Sequence, residues 1–283
     1  MGKTTIEWTR SADGSPGHTW NPVTGCSKVS PGCDHCYAEA ISLRFKRSVG
    51  PWTGANARAN VVLHPERLAE PLKIKKPSMI FVCSMADLFH ELVPFHFIQR
   101  VFRAMAASPQ HTFQVLTKRP GRLAYFANGY LEEPEDHAAN EEDRWCNRWP
   151  ANVWAGTSVE SAKYLPRLDV LARVPAKVRF VSAEPLLGPL DLEPYLVNPH
   201  DTDWIDGQGY GATLQWVIVG GESGPGARPM NPDWVRGIRD QCVAAGVPLF
   251  VKQDSGPRPG KQGRLSDELW AYKQFPGQGL AKA

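Results

Sequence analysis

Along most of the chain the apolar residues gather in short unbroken runs separated by polar and turn residues. Seven runs, at 20–23, 79–84, 112–116, 153–157, 178–182, 216–219 and 248–251, are rich in Val, Ile and Phe and lack clean alternation, as strands buried on both faces do. Between most of them the period changes. Residues 36–45, 95–107, 162–172 and 231–245 read as helices. In the third, Leu165, Leu168 and Leu171 fall at helical spacing. In the fourth, Asn231 stands as N-cap, Pro232 sits in the first turn, Val235, Ile238 and Cys242 follow at helical spacing, and Gly246 is the stop. Strand and helix alternate, so the pattern predicts an α/β fold with a parallel sheet and helical crossovers.

Two segments break the rhythm. Residues 130–149 carry Glu132, Glu133, Glu135, Asp136, Glu141, Glu142 and Asp143, a charge density that marks a solvated insertion. Residues 198–213, rich in Gly and Asp, read the same way. The C-terminal extension, 254–283, is Gly/Pro-rich as far as Gly263 and then regains Leu265, Leu269, Trp270 and Tyr272, which predicts a terminal cover. No linker divides the chain, and one barrel-like domain over 1–283 is the expectation.

Composition adds limits. With 283 residues, 42% hydrophobic and 22% charged, the chain has apolar mass for a sizeable core, which excludes disorder, collagen-like repetition and a coiled coil. The net charge of +3 is too small to announce a nucleic-acid binder and leaves local basic patches open. Runs such as 79–82 and 216–220 fall short of a bilayer span. With no apolar stretch near the N-terminus, a signal peptide is not expected and a reducing cytoplasm is the default compartment. Six cysteines there are ligands, reactive thiols or core fillers before they are disulfides.

Each predicted strand after the first is followed at once by residues that are expensive to bury: Asp87, then Lys118 and Arg119, then Ser158 and Glu160, then Glu184, Glu222, and Lys252 with Gln253. In a parallel barrel or half-barrel the C-terminal strand ends face one mouth, so these residues are expected to share a pocket, with helix caps and rim ion pairs as the plainer reading of any one of them. Gly220 and Gly221, in GGESGPGARP, read either as a strand end that lets a ligand pack close or as a tight turn.

The first strand runs into WNPVTGCSKVSPGCDHCYAEA, which places Cys26, Cys33 and Cys36 in one loop before a helix, spaced C-x6-C-x2-C. Three thiolates can hold three irons of a cubane cluster and leave the fourth open to a small molecule. Gly25, Pro31 and Gly32 let the loop fold tightly, and Tyr37 is an aromatic neighbour. A zinc site completed by His35 or His18 is the rival reading. Cys83, Cys146 and Cys242 stand apart as isolated thiols.

That loop, with SMADLFHE, LTKRP, WAGTSVE, RFVSAEPLLGPL and VGGESGPGARPM following in order, resembles the phage-encoded and bacterial three-cysteine-motif protein family. The family in turn resembles radical S-adenosylmethionine enzymes of the spore photoproduct lyase branch, where an N-P-x-x-G-C segment also opens the cluster loop and Tyr-Ala follows the last cysteine. The usual radical-enzyme spacing is C-x3-C-x2-C, so Cys26 and Cys33 are three residues further apart here. The resemblance implies a partial (β/α) TIM-like barrel with a 4Fe-4S cluster on Cys26, Cys33 and Cys36, and S-adenosyl-L-methionine chelating the open iron. Reductive cleavage would give methionine and a 5′-deoxyadenosyl radical that takes hydrogen from a substrate. Under that implication Asp87 would accept from the methionine ammonium, Lys118 would pair with its carboxylate, and Ser158 or Glu160 would bond the ribose. Glu184 and Glu222 would contact ribose, ammonium or substrate, and Cys83 would return hydrogen as a catalytic residue. An electron donor such as flavodoxin or ferredoxin is implied, with a genomic-neighbour protein as a possible partner and no membrane.

For the substrate, Lys28, Arg44, Lys46, Arg47, Arg119, Arg122 and Arg228 gather near the expected mouth, with Trp52, Trp154 and Trp234 as stacking candidates. Together with the resemblance they favour DNA or a nucleotide, acted on by lesion reversal or base modification. The competing readings are a zinc-stabilised nucleic-acid-binding protein without catalysis and a radical enzyme acting on a small metabolite.

Overall fold

A computed structural model describes residues 1–11, 13–130, 149–196 and 214–277. Most of the two expected insertions and the end of the C-terminal extension lie outside the described residues. The strands are β1 (Gly2–Lys3), β2 (His18–Trp20), β3 (Val23–Thr24), β4 (Val62–Leu63), β5 (Met79–Val82), β6 (Thr112–Thr117), β7 (Val153–Ser158), β8 (Arg179–Ala183), β9 (Trp216–Gly220) and β10 (Leu249–Gln253). The helices are α1 (Tyr37–Arg44), α2 (Ala57–Asn60), α3 (Phe95–Ala106), α4 (Pro120–Tyr125), α5 (Pro166–Leu171), α6 (Pro232–Ala245) and α7 (Asp267–Trp270).

Eight strands form one sheet in the order β1-β2-β5-β6-β7-β8-β9-β10. Every neighbouring pair in it is parallel except β1 on β2, so the alternating pattern has produced the crossover-linked sheet it predicts. The expected first strand, 20–23, divides. Trp20 ends β2 in the main sheet, whereas Val23 begins β3, which pairs with β4 in a separate ladder. Pro22 lies between them and has no N–H to give to a ladder.

The runs lack alternation because both faces of the sheet are buried. Ile80, Val82, Phe113, Val115, Val153, Ala155, Val217, Val219, Leu249 and Val251 join the side chains of α3, α5 and α6 in one core. The opposite face carries Phe81, Phe180, Trp216, Ile218 and Phe250, packed round Trp8. Trp8 lies 4.7 Å from Phe81 on β5 and 6.3 Å from Trp216 on β9, between ring centroids. On a flat sheet those strands would be about 19 Å apart. The sheet therefore curls round this aromatic plug. Gly156 on β7 permits it, since a Cβ there would come within 2.4 Å of the Phe180 ring. Among the described residues no pairing joins β10 to β1, so the curl is open and a closed barrel is not formed.

α6 follows its sequence signals closely. The Asn231 side chain accepts from the Asp233 N–H, Pro232 opens the helix, and Gly246, at φ 67°, ends it. At the other end of the chain Leu265 and Leu269 are buried, and Phe275 packs on Trp216 and Phe250 at one end of the curl.

Candidate functional site

The three cysteines meet at one place. Cys26, Cys33 and Cys36 are free thiols lining a single cavity of about 160 Å³, together with Asp87, Lys118, Ser158, Arg119, Tyr37 and Trp52 among others. Gly25, at φ 82°, turns the loop where its backbone passes Asn60, and a Cβ there would lie 1.9 Å from the Asn60 carbonyl oxygen. Gly32 packs on Glu160, whose Cγ would be 2.4 Å from a Cβ.

Convergence of the strand ends is partial. The ends of β5, β6 and β7 supply Asp87, Lys118, Arg119 and Ser158 to the cavity wall. The ends of β8, β9 and β10 do not reach the lining. Glu184 pairs with Lys252 at 2.8 Å, and Gly220 and Gly221 approach this chain's own Glu184 and Ser255 rather than leaving room for a ligand. Glu222 serves the cysteine loop from outside: it takes Arg228 Nη2 at 2.6 Å and His35 Nδ1 at 2.8 Å, while Arg228 also donates to the Pro31 carbonyl at 2.8 Å. Burial alone would raise the Glu222 carboxyl, but the hydrogen bonds from Arg228 and His35 outweigh it and hold it down to about 2.

Glu160 is a second clamp. Fully buried, it accepts from Ser30 Oγ at 2.7 Å and pairs with Lys118 at 3.2 Å and Arg167 at 2.9 Å. Asp87 is equally occupied. One oxygen accepts from Thr117 Oγ1 and the Phe89 N–H, the other from the Lys118 N–H and Arg119 Nη1 at 3.1 Å. Its carboxylate is thus committed to this chain's own donors.

Arg119 turns that commitment toward the cysteines. Held by Asp87 and by Glu91 at 2.9 Å, it places Nη1 3.6 Å from Cys26 Sγ and Nη2 3.1 Å from both the carbonyl and the hydroxyl of Ser27. His90 Nδ1 accepts from the Leu92 N–H, so Nε2 carries the proton and donates to Ser27 Oγ at 2.8 Å. Burial pushes the Cys26 thiol up to about 12, with the Asp87 charge adding and Arg119 opposing. Cys36 is raised by burial as well, against the N–H groups of Glu39 and Ala38 at the start of α1. A metal centre would take these sulfurs as thiolates, and Arg119 is the cation at hand.

Among the described residues no three His, Cys, Asp or Glu side chains gather round one ion-sized point. His35, one proposed fourth zinc ligand, is held by Glu222, and neither His35 nor His18 lines the cavity. Cys83 lies in the hydrophobic core after β5, at φ 59° and with its thiol raised by burial, and is not among the residues that line the cavity. Of the basic residues expected at the mouth, Lys28, Arg119 and Arg228 are bound in internal ion pairs, and Arg122 donates to the Val93 carbonyl. Trp52 does line the cavity, Trp154 packs on Trp216 inside the curl, and Trp234 packs against the core. Ser27, His90 and Arg167 carried no signal in the sequence, since their partners lie on other segments or beyond a turn. Arg228 had one: an acid and an arginine six residues apart flank a Gly-rich turn.

Fold and site together describe a curled, mostly parallel α/β protein with a cysteine loop at the C-terminal ends of its strands. The chain belongs to the family described as protein of unknown function (DUF5131), whose model matches residues 3–272. No curated protein matches it. Two solved structures are similar. A spore photoproduct lyase with a cysteine-to-serine mutation shares 12% identity, with a TM-score of 0.41 over 71% of this chain and 55% of that one. Spore photoproduct lyase complexed with dinucleoside spore photoproduct shares 11%, with a TM-score of 0.42 over 77% and 58%. The chain thus spans little more than half the length of either. No helix among the described residues is long and apolar enough to cross a membrane.

Proposed function

We propose that the protein is a radical S-adenosylmethionine enzyme acting on DNA or a nucleotide, with Cys26, Cys33 and Cys36 as ligands to a 4Fe-4S cluster and the curled sheet as a partial (β/α) barrel. The observation that carries this reading is the sharing of one cavity by three free thiols of one loop. Three thiolates can each bind a different iron of a cubane and leave the fourth iron open, whereas one tetrahedral zinc ion would need a fourth protein ligand, and His35 and His18 do not line the cavity. The resemblance carried by the motif order from WNPVTGC to VGGESGPGARPM implies the enzyme class and, through the spore photoproduct lyase branch, DNA or a nucleotide as the substrate.

When bound, the cluster and S-adenosylmethionine supply one-electron reductive cleavage of the sulfonium and hydrogen abstraction. The chain's own residues position and shield. Lys118, on the cavity wall, is the cation for the methionine carboxylate, and Ser158 is the hydroxyl for the ribose. Asp87 acts through Arg119 and the Lys118 backbone, fixing the wall rather than meeting the ammonium itself. Glu160 and Glu222 hold the cysteine loop at Ser30, His35 and, through Arg228, Pro31. Trp52 and Tyr37 exclude water beside the thiols.

Anaerobic reconstitution with iron and sulfide, then incubation with S-adenosylmethionine and dithionite, is expected to yield 5′-deoxyadenosine. Cys33→Ala is expected to lose both cluster and product. Cleavage retained in that variant, or a sample that binds one zinc ion and no sulfide, would refute the reading.

A further inference from the structure

α1 is packed inside out. The face it buries is small and polar, Ala38, Glu39 and Ser42, whereas Tyr37, Ile41, Leu43 and Phe45 stand 46, 37, 38 and 58% exposed. Tyr37, Ile41 and Phe45 recur at four-residue spacing and form one stripe down the helix. Val49, just beyond, is 74% exposed. Side chains left this exposed forgo part of their burial, so a contiguous stripe of them marks an interaction surface.

Charge says what covers it. Arg44, Lys46 and Arg47 surround the Phe45 end, with both guanidiniums over its ring at 5.7 and 5.4 Å. Among the described residues these three cations form no ion pair, although Lys28, Lys118, Arg119, Arg167, Arg228 and Lys252 are each bound to a carboxylate. Lys46 holds φ 54° at the helix end, a left-handed conformation that favours glycine, so its charge is presented at some conformational cost. An apolar, aromatic centre edged by arginine and lysine is the composition of a protein interface. Nucleic-acid interfaces are more polar and more densely cationic, and here apolar side chains outnumber cations. The complement is an acidic protein with an apolar patch.

Position gives the partner a task. α1 begins directly after Cys36, and Tyr37 at the head of the stripe lines the cysteine cavity. Nine residues at 1.5 Å rise put Phe45 about 13 Å from Cys36 along the helix. We propose that the outward face of α1 is the docking site of a small acidic electron-donating protein, seated on Tyr37, Ile41 and Phe45 and held by Arg44, Lys46 and Arg47. The partner loses one electron and the cysteine-held centre gains it, with no bond made or broken. Electron delivery rests on the function proposed above; the docking surface does not.

Binding of a reduced flavodoxin and of a 2Fe-2S ferredoxin to the full-length apoprotein tests the surface without a cluster. At least one is expected to bind, more weakly as salt rises from about 50 to about 200 mM. Phe45→Glu, and separately the pair Arg44→Glu and Arg47→Glu, are expected to weaken binding by about tenfold or more while leaving thermal unfolding unchanged. In reconstituted protein the same variants are expected to slow reduction by flavodoxin by a similar factor and to leave reduction by dithionite unaltered. Failure of both proteins to bind, or unchanged binding by the variants, would overturn the proposal. So would the same substitutions abolishing binding of a single-stranded oligonucleotide or of phosphatidylserine vesicles instead, or a wild-type dimer that Phe45→Glu separates. Docking in a protein that assembles no cluster would remove the radical reading and keep the acidic-protein surface.

Discussion

The two halves of the sheet's C-terminal rim carry similar residues and do different work. Beyond β5, β6 and β7 the polar side chains other than the buried Glu160 line the cysteine cavity; beyond β8, β9 and β10 they close on one another or brace the loop from behind. A charge at the end of a parallel strand is therefore no sufficient sign of a binding site. What separates the halves is the loop after β3, which lies over the first set and leaves the second to find partners among Lys252, Arg228 and His35. The bracing half still matters to the site, because the loop is gripped from both sides.

The sharpest way to break this comparison is at Glu160, where the two halves meet at the loop. Glu160→Ala strands Lys118 and Arg167 without their carboxylate in a buried setting, and is expected to destabilise the protein by about 3–5 kcal/mol in urea unfolding. It should also expose Cys33 to faster alkylation, since Ser30 loses its anchor. An effect under about 1 kcal/mol would mean that the loop does not depend on this clamp.

Glu222 gives the next largest effect, readable in pH. Its carboxyl is depressed from 4.5 to about 2 in the folded state, so it contributes stability above the unfolded value and loses it as pH falls from about 4.5 towards 2. Because Arg228 and His35 are themselves partly exposed, solvent screening leaves about 1–2 kcal/mol of this as stability. Glu222→Gln is expected to be less stable than the parent at pH 7 and to converge with it near pH 2. A constant gap across that range would show that the Arg228 and His35 contacts are not linked to its charge.

The smallest effect is expected at Lys252. Its pair with Glu184 is partly exposed and faces neither cavity nor loop, so Lys252→Met should shift stability by no more than about 1 kcal/mol and leave cluster assembly intact. Loss of the cluster in that variant would erase the distinction between the halves.

Legibility in the sequence followed the range of the interactions. Asn231, Pro232 and Gly246 delimit α6 through bonds made within a few residues, and they were readable. The buried strands announced themselves because a residue type, Val, Ile or Phe, reports burial directly. The division of 20–23 into two strands of different sheets was not readable, because β3 takes its partner from residues forty positions away. At the site, the three cysteines were evident from their spacing, and Lys118 and Ser158 from their place after strands. Arg119 looked like one more cation at the mouth. Only its neighbours, Asp87, Glu91, Ser27 and Cys26, drawn from two other segments, make it the residue that faces a sulfur.

The sequence by itself determined the alternation of strand and helix, the burial of both sheet faces and the presence of three thiols in one loop, because each follows from residue type and local spacing. Tertiary structure decided which strand ends reach those thiols, which carboxylates are consumed as clamps, and that α1 turns its apolar stripe to solvent. These depend on how far the sheet curls round Trp8 and on pairings between distant segments, and no local pattern encodes a distance across the fold.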